Sequence, residues 1–445
     1  MKARLPRDRD IWRIAAPMIL SNISVPLLGM VDTGVTGHLD GPAYLGAVAI
    51  GATIFGFLFT GMNFLRMGTT GIAAQRFGAD DNDGLRAVLG QAIIVATAIA
   101  VLLIAAQAPI ANVALTLAGA EGEIERYAQV YFGIRIWSAP GTLANYVLIG
   151  WFIGLQDARV PLVIFLAINL TNIVLDLVFV VLLGMTVDGV ALASVVAEYT
   201  GLAVGLAFVA RELRRRSGAW PVERFARLRA YAAFFAVNAH LFVRTMALMF
   251  TFAFVTAQGA RLGPLVLAAN ALLMNFQNLM AFGLDGIAHA AEALVGNAVG
   301  ARRRDALEHA VRLSLKWSFY VAAGFAAAYW LGGPLLVRTL TDLPEVRATA
   351  LEYLPWLVVS PLVSVWSFLY DGVYVGATRA REMRDIMLVS TVMIFLPAWY
   401  LLQGLGNHGL WLAFILFMAS RGIGMHIGYR RRVLPSVTPA PGPGT

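Results

Sequence analysis

The sequence predicts an all-α integral membrane protein, with twelve transmembrane helices arranged as two parallel repeats of six. Three observations support this fold class. Hydrophobic residues make up 59% of the 445 residues and charged residues only 13%, which is typical of proteins that cross a membrane many times. Apolar runs of about 20 residues, the length that spans a bilayer, recur from end to end. The two halves of the chain also share residues at one constant spacing.

Twelve apolar runs are long enough to cross the hydrocarbon core of a membrane. Most exceed the roughly 20 residues required, so we expect several to be tilted or to project beyond the bilayer. The predicted spans cover residues 11–38, 44–75, 86–108, 126–155, 159–184, 189–211, 230–257, 264–299, 309–331, 347–376, 385–403 and 408–429.

The two halves are related by one constant shift in residue number, called here the repeat offset. Gly41-Pro42 recurs as Gly263-Pro264, and with the same shift Gly150, Gly154 and Arg159 recur as Gly372, Gly376 and Arg381. Six spans per half is an even number, so both halves enter the membrane in the same orientation and the repeats are parallel. The sequence predicts lobes at 1–210 (helices 1–6) and 230–432 (helices 7–12). A cytoplasmic linker at 211–229 joins them, and a Pro/Gly-rich disordered tail follows at 433–445.

The distribution of arginine predicts the orientation. The net charge is +8, and only Lys2 and Lys316 are lysines. Arginines are concentrated at the N-terminus, at the C-terminal end and in every second loop, and loops rich in positive charge stay cytoplasmic. We therefore expect a multi-pass protein of a bacterial-type inner (plasma) membrane with both termini cytoplasmic. Its predicted partner is the lipid bilayer and not nucleic acid, and we expect a monomer.

Two carboxylates lie inside spans that are otherwise apolar, Asp32 in span 1 and Asp176 in span 5. A charged group at that depth costs a few kcal/mol or more, so it indicates a functional site. At the repeat offset their counterparts are Phe254 and Ala398. Neither acid is therefore needed to build a six-helix lobe.

Neighbouring polar residues complete a candidate ion-coupling site. Asn172 precedes Asp176 by four residues and shares its helix face, and Ser194 in span 6 lies at a similar depth. Two neighbouring buried acids can bind a proton near neutral pH, and oxygen ligands can instead hold a hard cation. The proton is the preferred coupling ion. Sodium, bound by Asp32, Asn172 and Asp176, is the alternative.

Further polar and bulky residues within the spans allow two interpretations. The charged ones either form buried ion pairs that fix the helix packing or line a substrate cavity. Asp371, near the inner end of span 10, is expected at the membrane interface. The residues assigned to a candidate substrate cavity are Thr33, Arg66, Met67, Glu198, Arg244 and Phe254.

Several protein classes are excluded by missing motifs. The chain has no cysteine, which excludes disulfides and thiolate metal sites. Neither lysine follows a glycine and no histidine pair has HExxH spacing, so there is no ATP-binding P-loop or zinc-protease motif. No span pairs a nucleophile with a base at a recognisable spacing. We expect no cofactor, and any transport must use an ion gradient or a separate subunit.

Several segments resemble the MATE family, the multidrug and toxic compound extrusion transporters, and within it the DinF-like branch. The resemblance extends from about residue 10 to residue 430. The segments that carry it are VDTGVTGHLDGPAYLGAVAIG at 31–51, FLRMGTTGIAAQRFGA at 64–79, LIGWFIGLQDAR at 148–159, NIVLD at 172–176, ALASVVAEY at 191–199, LDGIAHAAEALVGNAVGAR at 284–302 and YDGVYVGATRAREMRD at 370–385.

The resemblance implies two six-helix lobes around a V-shaped cavity. It also implies antiport of organic cations or other amphipathic compounds against protons or sodium ions. The family's pocket residues fall on Asp32, Asn172 and Asp176, with Ser194 as the match for a hydroxyl in helix 6. Other branches use an acid in helix 7 for a second cation site, whereas span 7 here carries Arg244 and no acid.

A flippase for lipids or lipid-linked sugars is the alternative function, because such exporters share the two-lobed plan. Their cavities tend to be rich in basic residues for anionic head groups, and they often have additional spans. Twelve spans with two buried acids favour the antiporter.

Overall fold

The computed structural model describes residues 5–37, 39, 41–221, 223, 225, 227 and 231–437, except the side chains of residues 25–28, 30, 32, 33 and 233. Within these ranges the backbone is almost entirely helical and contains no β-strand. The predicted disordered tail lies outside the described residues from 438 onward, as does much of the linker between 222 and 230.

Sixteen α-helices account for most of the described chain. Those of the first half are α1 (Asp8–Thr36), α2 (Pro42–Gly61), α3 (Phe64–Gly78), α4 (Asn82–Ala105), α5 (Gln107–Leu117), α6 (Gly122–Arg135), α7 (Ala139–Gly154), α8 (Arg159–Asp176) and α9 (Val187–Arg215). Those of the second half are α10 (Ala232–Arg261), α11 (Pro264–Gly300), α12 (Arg304–Leu340), α13 (Pro344–Gly376), α14 (Ala380–Val389), α15 (Leu396–Leu402) and α16 (Asn407–Gly428).

Short segments of other helix types interrupt or extend these helices. A 3-10 turn, Ile136–Ser138, joins α6 to α7. A π-helical segment, Leu177–Leu182, follows α8 directly, and another, Ser390–Phe395, joins α14 to α15. Each predicted span therefore corresponds to one continuous helix or to shorter helical pieces joined end to end.

Ten helical segments within the described residues are long and apolar enough to cross a membrane. The segment formed by α6 and α7 is not among them. It carries Arg135, Ser138, Thr142 and Asn145, so it is a more polar helix than its neighbours. α1, in which several side chains lie outside the described residues, is also not among the ten.

The chain forms two compact units. The amino-terminal unit comprises Leu20–Ala73 and Asp81–Phe234. The carboxyl-terminal unit comprises Phe235–Thr445 together with Met1–Ile19 and Ala74–Asp80. The lobe boundaries inferred from the sequence remain a prediction.

The backbone repeats at the offset found in the sequence. Proline occupies the first turn of α2 and of the matching α11, where its missing N–H would have no helical partner in any case. Left-handed backbone also recurs at this offset, although most side chains disfavour it. The matched pairs are Asp80 and Arg302, Gln156 and Thr378, and Gly184 and Gly406.

Glycines at matched positions allow backbones to approach closely within each unit. A Cβ atom at Gly150 would lie 2.4 Å from the carbonyl oxygen of Arg66, and one at Gly372 would lie 2.3 Å from that of Ala288. Arg66 and Ala288 are themselves counterparts at the repeat offset. Small residues at such crossings are how membrane helices pack closely without a hydrophobic driving force.

Aromatic side chains fill the interior of both units. In the amino-terminal unit Phe55 stacks on Phe132 at 5.0 Å, and the fully buried Trp151 donates a hydrogen bond to the carbonyl of Leu85. In the carboxyl-terminal unit Phe395 and Phe417 belong to one buried apolar cluster. This packing fixes the helices that carry the polar residues described below.

The substitution Gly372→Ala should destabilise the protein, because its added methyl group would overlap a backbone carbonyl that cannot move independently. Overpacking of this kind costs about 1–3 kcal/mol, so the melting temperature in detergent should fall by several degrees. Gly324→Ala is the matched control, because a Cβ atom at Gly324 has nothing within 4 Å. Equal melting temperatures for the two variants would contradict the packing described here.

Candidate ion-coupling site

Three polar residues form a ladder along one face of α8. Asn169, Asn172 and Asp176 follow one another at spacings of three and four residues, which places them on the same side of the helix. They are 8%, 1% and 0% exposed, respectively. Buried polar groups of this kind are stable only when hydrogen bonds or bound ions compensate for the water they have lost.

The ladder is hydrogen-bonded to the helices on either side of it. The Asn172 amide donates to the Ser194 hydroxyl on α9 at 3.2 Å. The Asn169 amide donates to the Ser24 hydroxyl on α1 at 2.8 Å, and Ser24 donates to the carbonyl of Ser21. These bonds connect α8 to both α1 and α9.

The backbone changes geometry immediately after the acid. Asp176 is the last residue of α8, and the π-helical segment Leu177–Leu182 begins at the next residue. Such a segment has a wider turn than an α-helix, and single π turns occur frequently at functional sites. The acid thus lies at a junction between two helix types and not in the middle of a uniform helix.

Two residues of the predicted constellation cannot be placed. The backbone of Asp32 and Thr33 is helical and belongs to α1, but their side chains lie outside the described residues. The pairing of Asp32 with Asp176 remains a prediction. The structure does bring together Asn172 and Ser194, and it places Asp176 one turn beyond Asn172.

The candidate cavity residues of the amino-terminal unit have separate environments. Glu198 on α9 lies one turn beyond Ser194, and its carboxylate accepts a hydrogen bond from Asn145 on α7. Arg66 on α3 donates to the side chain of Asn63 three residues earlier. Met67 is 5% exposed and belongs to the packed interior. Of these three, only Glu198 lies beside the candidate site along the chain.

The candidate cavity residues of the carboxyl-terminal unit belong to its packing. Phe254, the counterpart of Asp32, is partly buried against the apolar cluster and contacts the Phe395 ring edge to face at 5.4 Å. Arg244 on α10 is 8% exposed and forms an ion pair with Asp371 on α13. The ion-pair interpretation of Arg244 is therefore the one that the structure favours.

A triad of buried charges joins three helices of the carboxyl-terminal unit. Arg421 on α16 donates a hydrogen bond of 2.8 Å to Asp371 Oδ2. Arg244 donates to the same oxygen. Arg421 is 2% exposed and also lies over the Phe417 ring at 5.3 Å. Asp371 itself is 9% exposed, so two buried arginines hold this carboxylate inside the unit, and its expected position at the membrane interface remains a prediction.

Several buried polar residues of both units are not among the site residues predicted from the sequence. Asn169 could have been found from its helical spacing to Asn172. Ser24 and Asn145 gave no signal, because single hydroxyl and amide residues are common within apolar spans. Arg421 was overlooked among the many arginines of the C-terminal region, although it is the only charged residue between residues 408 and 429.

Comparison with known proteins identifies relatives of this chain. A family model described as MatE matches residues 17–178 and 241–401. DNA damage-inducible protein F of Escherichia coli (strain K12) is 42% identical, over 95% of this chain and 92% of that protein. A probable multidrug resistance protein NorM of Halalkalibacterium halodurans is 25% identical, over 93% of this chain and 92% of that protein.

A solved structure shares the fold. It is the outward-facing conformation of a multidrug resistance MATE family transporter of the MOP superfamily. The two chains superpose with a TM-score of 0.85 at 21% identity, over 97% of each chain. This likeness confirms the predicted fold class, with twelve transmembrane helices in two six-helix lobes.

Replacing Asp371 by asparagine should strongly destabilise the protein, because two buried guanidinium groups would lose their counterion. Removing one member of a buried ion pair costs about 3–5 kcal/mol. Glu352→Gln is the matched control, because the Glu352 side chain is 56% exposed and its ion pair with His408 lies at the surface. Thermal unfolding of both purified variants in detergent measures the difference, and a melting temperature of Asp371→Asn equal to that of the control would refute the structural role of the triad.

Proposed function

The chain belongs to the MATE family of multidrug efflux transporters, and from this premise we propose that it is an ion-coupled secondary antiporter. It exports organic cations and other amphipathic compounds by alternating access, while protons enter in exchange. The family consists of transporters and not enzymes, and it needs no cofactor. Small amphipathic molecules are therefore the substrate class, and an ion gradient is the source of energy.

The polar ladder on α8 carries this proposal. Its members Asn172 and Asp176, with Ser194 on α9, have the counterparts Ile394, Ala398 and Leu416 in the second half. The same fold is thus built in the second half with apolar residues at all three positions. A buried carboxylate that the architecture does not require is best explained by binding of the coupling ion.

Ion binding at the ladder can alter the helix packing. A proton on Asp176 or Asp32 removes a charge from an apolar interior, which lowers the cost of closing helices around it. We propose Asp32 as the main coupling residue, since it lies in α1 and has Phe254 as its counterpart. The hydrogen bond between Asn169 and Ser24 already joins α8 to α1, so this protonation change would be transmitted between the two helices.

The proton is the preferred coupling ion, and sodium is the alternative. A proton needs only a carboxylate that can be buried in neutral form, and Asp176 is a fully buried carboxylate. Sodium would require several oxygens at once, from Asp32, Asn172 and Asp176. The two ions make opposite demands on the carboxylates, because bound sodium keeps them charged.

The arginines of the second half support the flippase alternative less well than they support the antiporter. Arg244 and Arg421 share the carboxylate of Asp371, so their hydrogen-bonding capacity is partly used within the unit. A site for anionic head groups would need guanidinium groups that are available to the ligand. The geometry therefore favours antiport of cationic and amphipathic compounds.

Purified protein in liposomes should expel a fluorescent organic cation when an inward proton gradient is imposed, and a sodium gradient alone should give no efflux. In the Asp32→Asn and Asp176→Asn variants this efflux should fall to the level of empty liposomes, because a permanently neutral side chain cannot release a proton. Both variants should remain folded, since a neutral amide costs less to bury than a carboxylate.

Glu123→Gln is the matched control, because Glu123 is an exposed carboxylate on α6 of the same unit. It should leave the efflux unchanged. Efflux driven by sodium alone would contradict proton coupling, whereas full activity of both Asp variants would contradict the site.

The proposed orientation places both termini and the linker in the cytoplasm. The absence of cysteine allows a test with single introduced cysteines at two exposed residues, Ser217→Cys in the linker and Glu121→Cys before α6. A membrane-impermeant maleimide should label Ser217→Cys only in inside-out membrane vesicles and Glu121→Cys only in right-side-out ones. The reverse pattern would overturn the orientation.

A further inference from the structure

A second polar stripe lies on the helix formed by α6, the 3-10 turn and α7. Arg135, Ser138, Thr142 and Asn145 follow one another at spacings of three or four residues, which places them on one face of this helix. Ser138, Thr142 and Asn145 are 0%, 4% and 2% exposed. The stripe faces α9 at Glu198.

Direct hydrogen bonds connect the stripe to α9. The Asn145 amide donates to the Glu198 carboxylate at 3.0 Å and to the Glu198 backbone carbonyl at 2.9 Å. Two glycines permit this approach: a Cβ atom at Gly141 would lie 3.2 Å from the Glu198 Cβ, and one at Gly201 would lie 3.2 Å from the Asn145 Nδ2. The sequence therefore leaves space around Glu198 for its polar partners.

Three members of the stripe have a buried polar atom that makes no hydrogen bond to any residue in the described part of the chain. These atoms are Arg135 Nη1, Ser138 Oγ and Asn145 Oδ1, whereas the Thr142 hydroxyl lies against the Glu198 carboxylate. One such atom costs about 1–3 kcal/mol if it stays unsatisfied. Three on one helix face are enough to bind a buried water molecule, because such a water usually bonds to two to four polar groups.

The second half of the chain provides an internal comparison. The counterparts of Arg135 and Glu198 are Leu357 and Ser420, and those of the other three stripe residues are Ser360, Ser364 and Ser367. In that half, hydroxyls bond to one another and to protein groups. Ser360 donates to Gln277 at 2.8 Å, and Ser367 donates to the carbonyl of Ser364 at 2.8 Å. The polar face is thus repeated, but its charges occur only in the first half.

Two other helices and α7 contribute the charged and titratable groups around Glu198. Arg135 on α6 attracts the carboxylate, and Tyr146 on α7 interacts with Glu198, Arg135 and Arg66 on α3. The acid on the facing helix α8 is Asp176, which lies on the other side of the bond between Asn172 and Ser194. The hydroxyl of Thr142 lies close to the carboxylate.

We propose that Glu198 is a second proton-exchanging carboxyl group, which receives its proton through water held by Ser138, Thr142 and Asn145. This inference depends on the proposed proton-coupled antiport. Glu198 lies one turn from Ser194, which binds Asn172 of the ladder. The two acids lie on opposite sides of this bond, each one turn away from it, so Glu198 would exchange its proton at a separate level of the same pair of helices.

The site has partners for both protonation states of Glu198. The ionised carboxylate accepts the Asn145 amide hydrogen and offsets the charge of Arg135. When a hydronium ion in the water cluster transfers its proton, the carboxylate becomes a neutral acid and a water molecule is left. The new O–H group can then donate to the Asn145 side-chain oxygen or to a water molecule. Arg135 keeps a second source of stabilisation, because its guanidinium lies 5.8 Å from the rings of Phe55 and Phe59.

Infrared difference spectra of purified protein between high and low pH test the proposal. The wild type should show a carbonyl-stretch band of a buried carboxylic acid that is missing in Glu198→Gln and retained in Glu198→Asp. In Arg135→Gln the pH midpoint of this band should rise by about one to three units, because loss of a nearby positive charge destabilises the carboxylate. In liposomes, the efflux rate of Glu198→Gln should be at least tenfold lower than that of the wild type. Its dependence on pH should also be less steep.

Ser420→Ala, at the counterpart of Glu198, is the matched control and should change neither readout. A band that is unchanged in Glu198→Gln, or a midpoint unchanged in Arg135→Gln, would overturn the assignment of the proton to Glu198. If the Glu198→Gln protein does not fold, the Arg135→Gln midpoint decides alone. Failure of the proposed antiport can be distinguished from failure of the Glu198 assignment. If the antiport proposal is wrong, the wild-type protein shows no proton-driven efflux, whether or not the Glu198 band is present.

Discussion

Burial of polar side chains within an apolar bundle is the constraint on which the amino-terminal unit depends. In a membrane, a carboxylate or amide that has left water must find hydrogen bonds within the protein. The two amides of the ladder on α8 meet this requirement through Ser24 on α1 and Ser194 on α9. These bonds join the three helices. In the proposed mechanism, ion binding at the adjacent Asp176 acts on this connection.

The two halves share one backbone arrangement but carry different charged and polar residues. Left-handed residues and close glycine contacts recur at the repeat offset, so the geometry is repeated. The first half carries Asp176 and Glu198, each beside buried amides and hydroxyls. The second half carries a carboxylate, Asp371, fixed between two arginines. A carboxylate shared by two arginines resists a change of charge more strongly than Glu198, which has one nearby arginine, Arg135, together with neutral partners.

The fold, and the positions of the candidate polar residues along the helices, could be predicted from the sequence for physical reasons. Apolar spans must match the bilayer thickness, and a buried acid such as Asp176 stands out against an apolar run. Asn172 followed from helical spacing alone. Contacts between distant helices could not be predicted: the bonds from Asn169 to Ser24 and from Asn145 to Glu198 depend on which faces pack together. The ion pairs of Asp371 could not be predicted for the same reason, since Arg244 and Arg421 are distant from it in the sequence.

The central claim is that the hydrogen-bonded polar ladder couples ion entry to export. Its most direct test is proton-driven efflux by the double variant Asn172→Leu/Ser194→Ala, which replaces the bond between α8 and α9 by apolar groups of similar or smaller size while keeping both acids. If the ladder couples the ion to transport, the variant should fold and bind substrate but lose proton-driven efflux. Efflux at the wild-type rate in a folded variant would contradict the account.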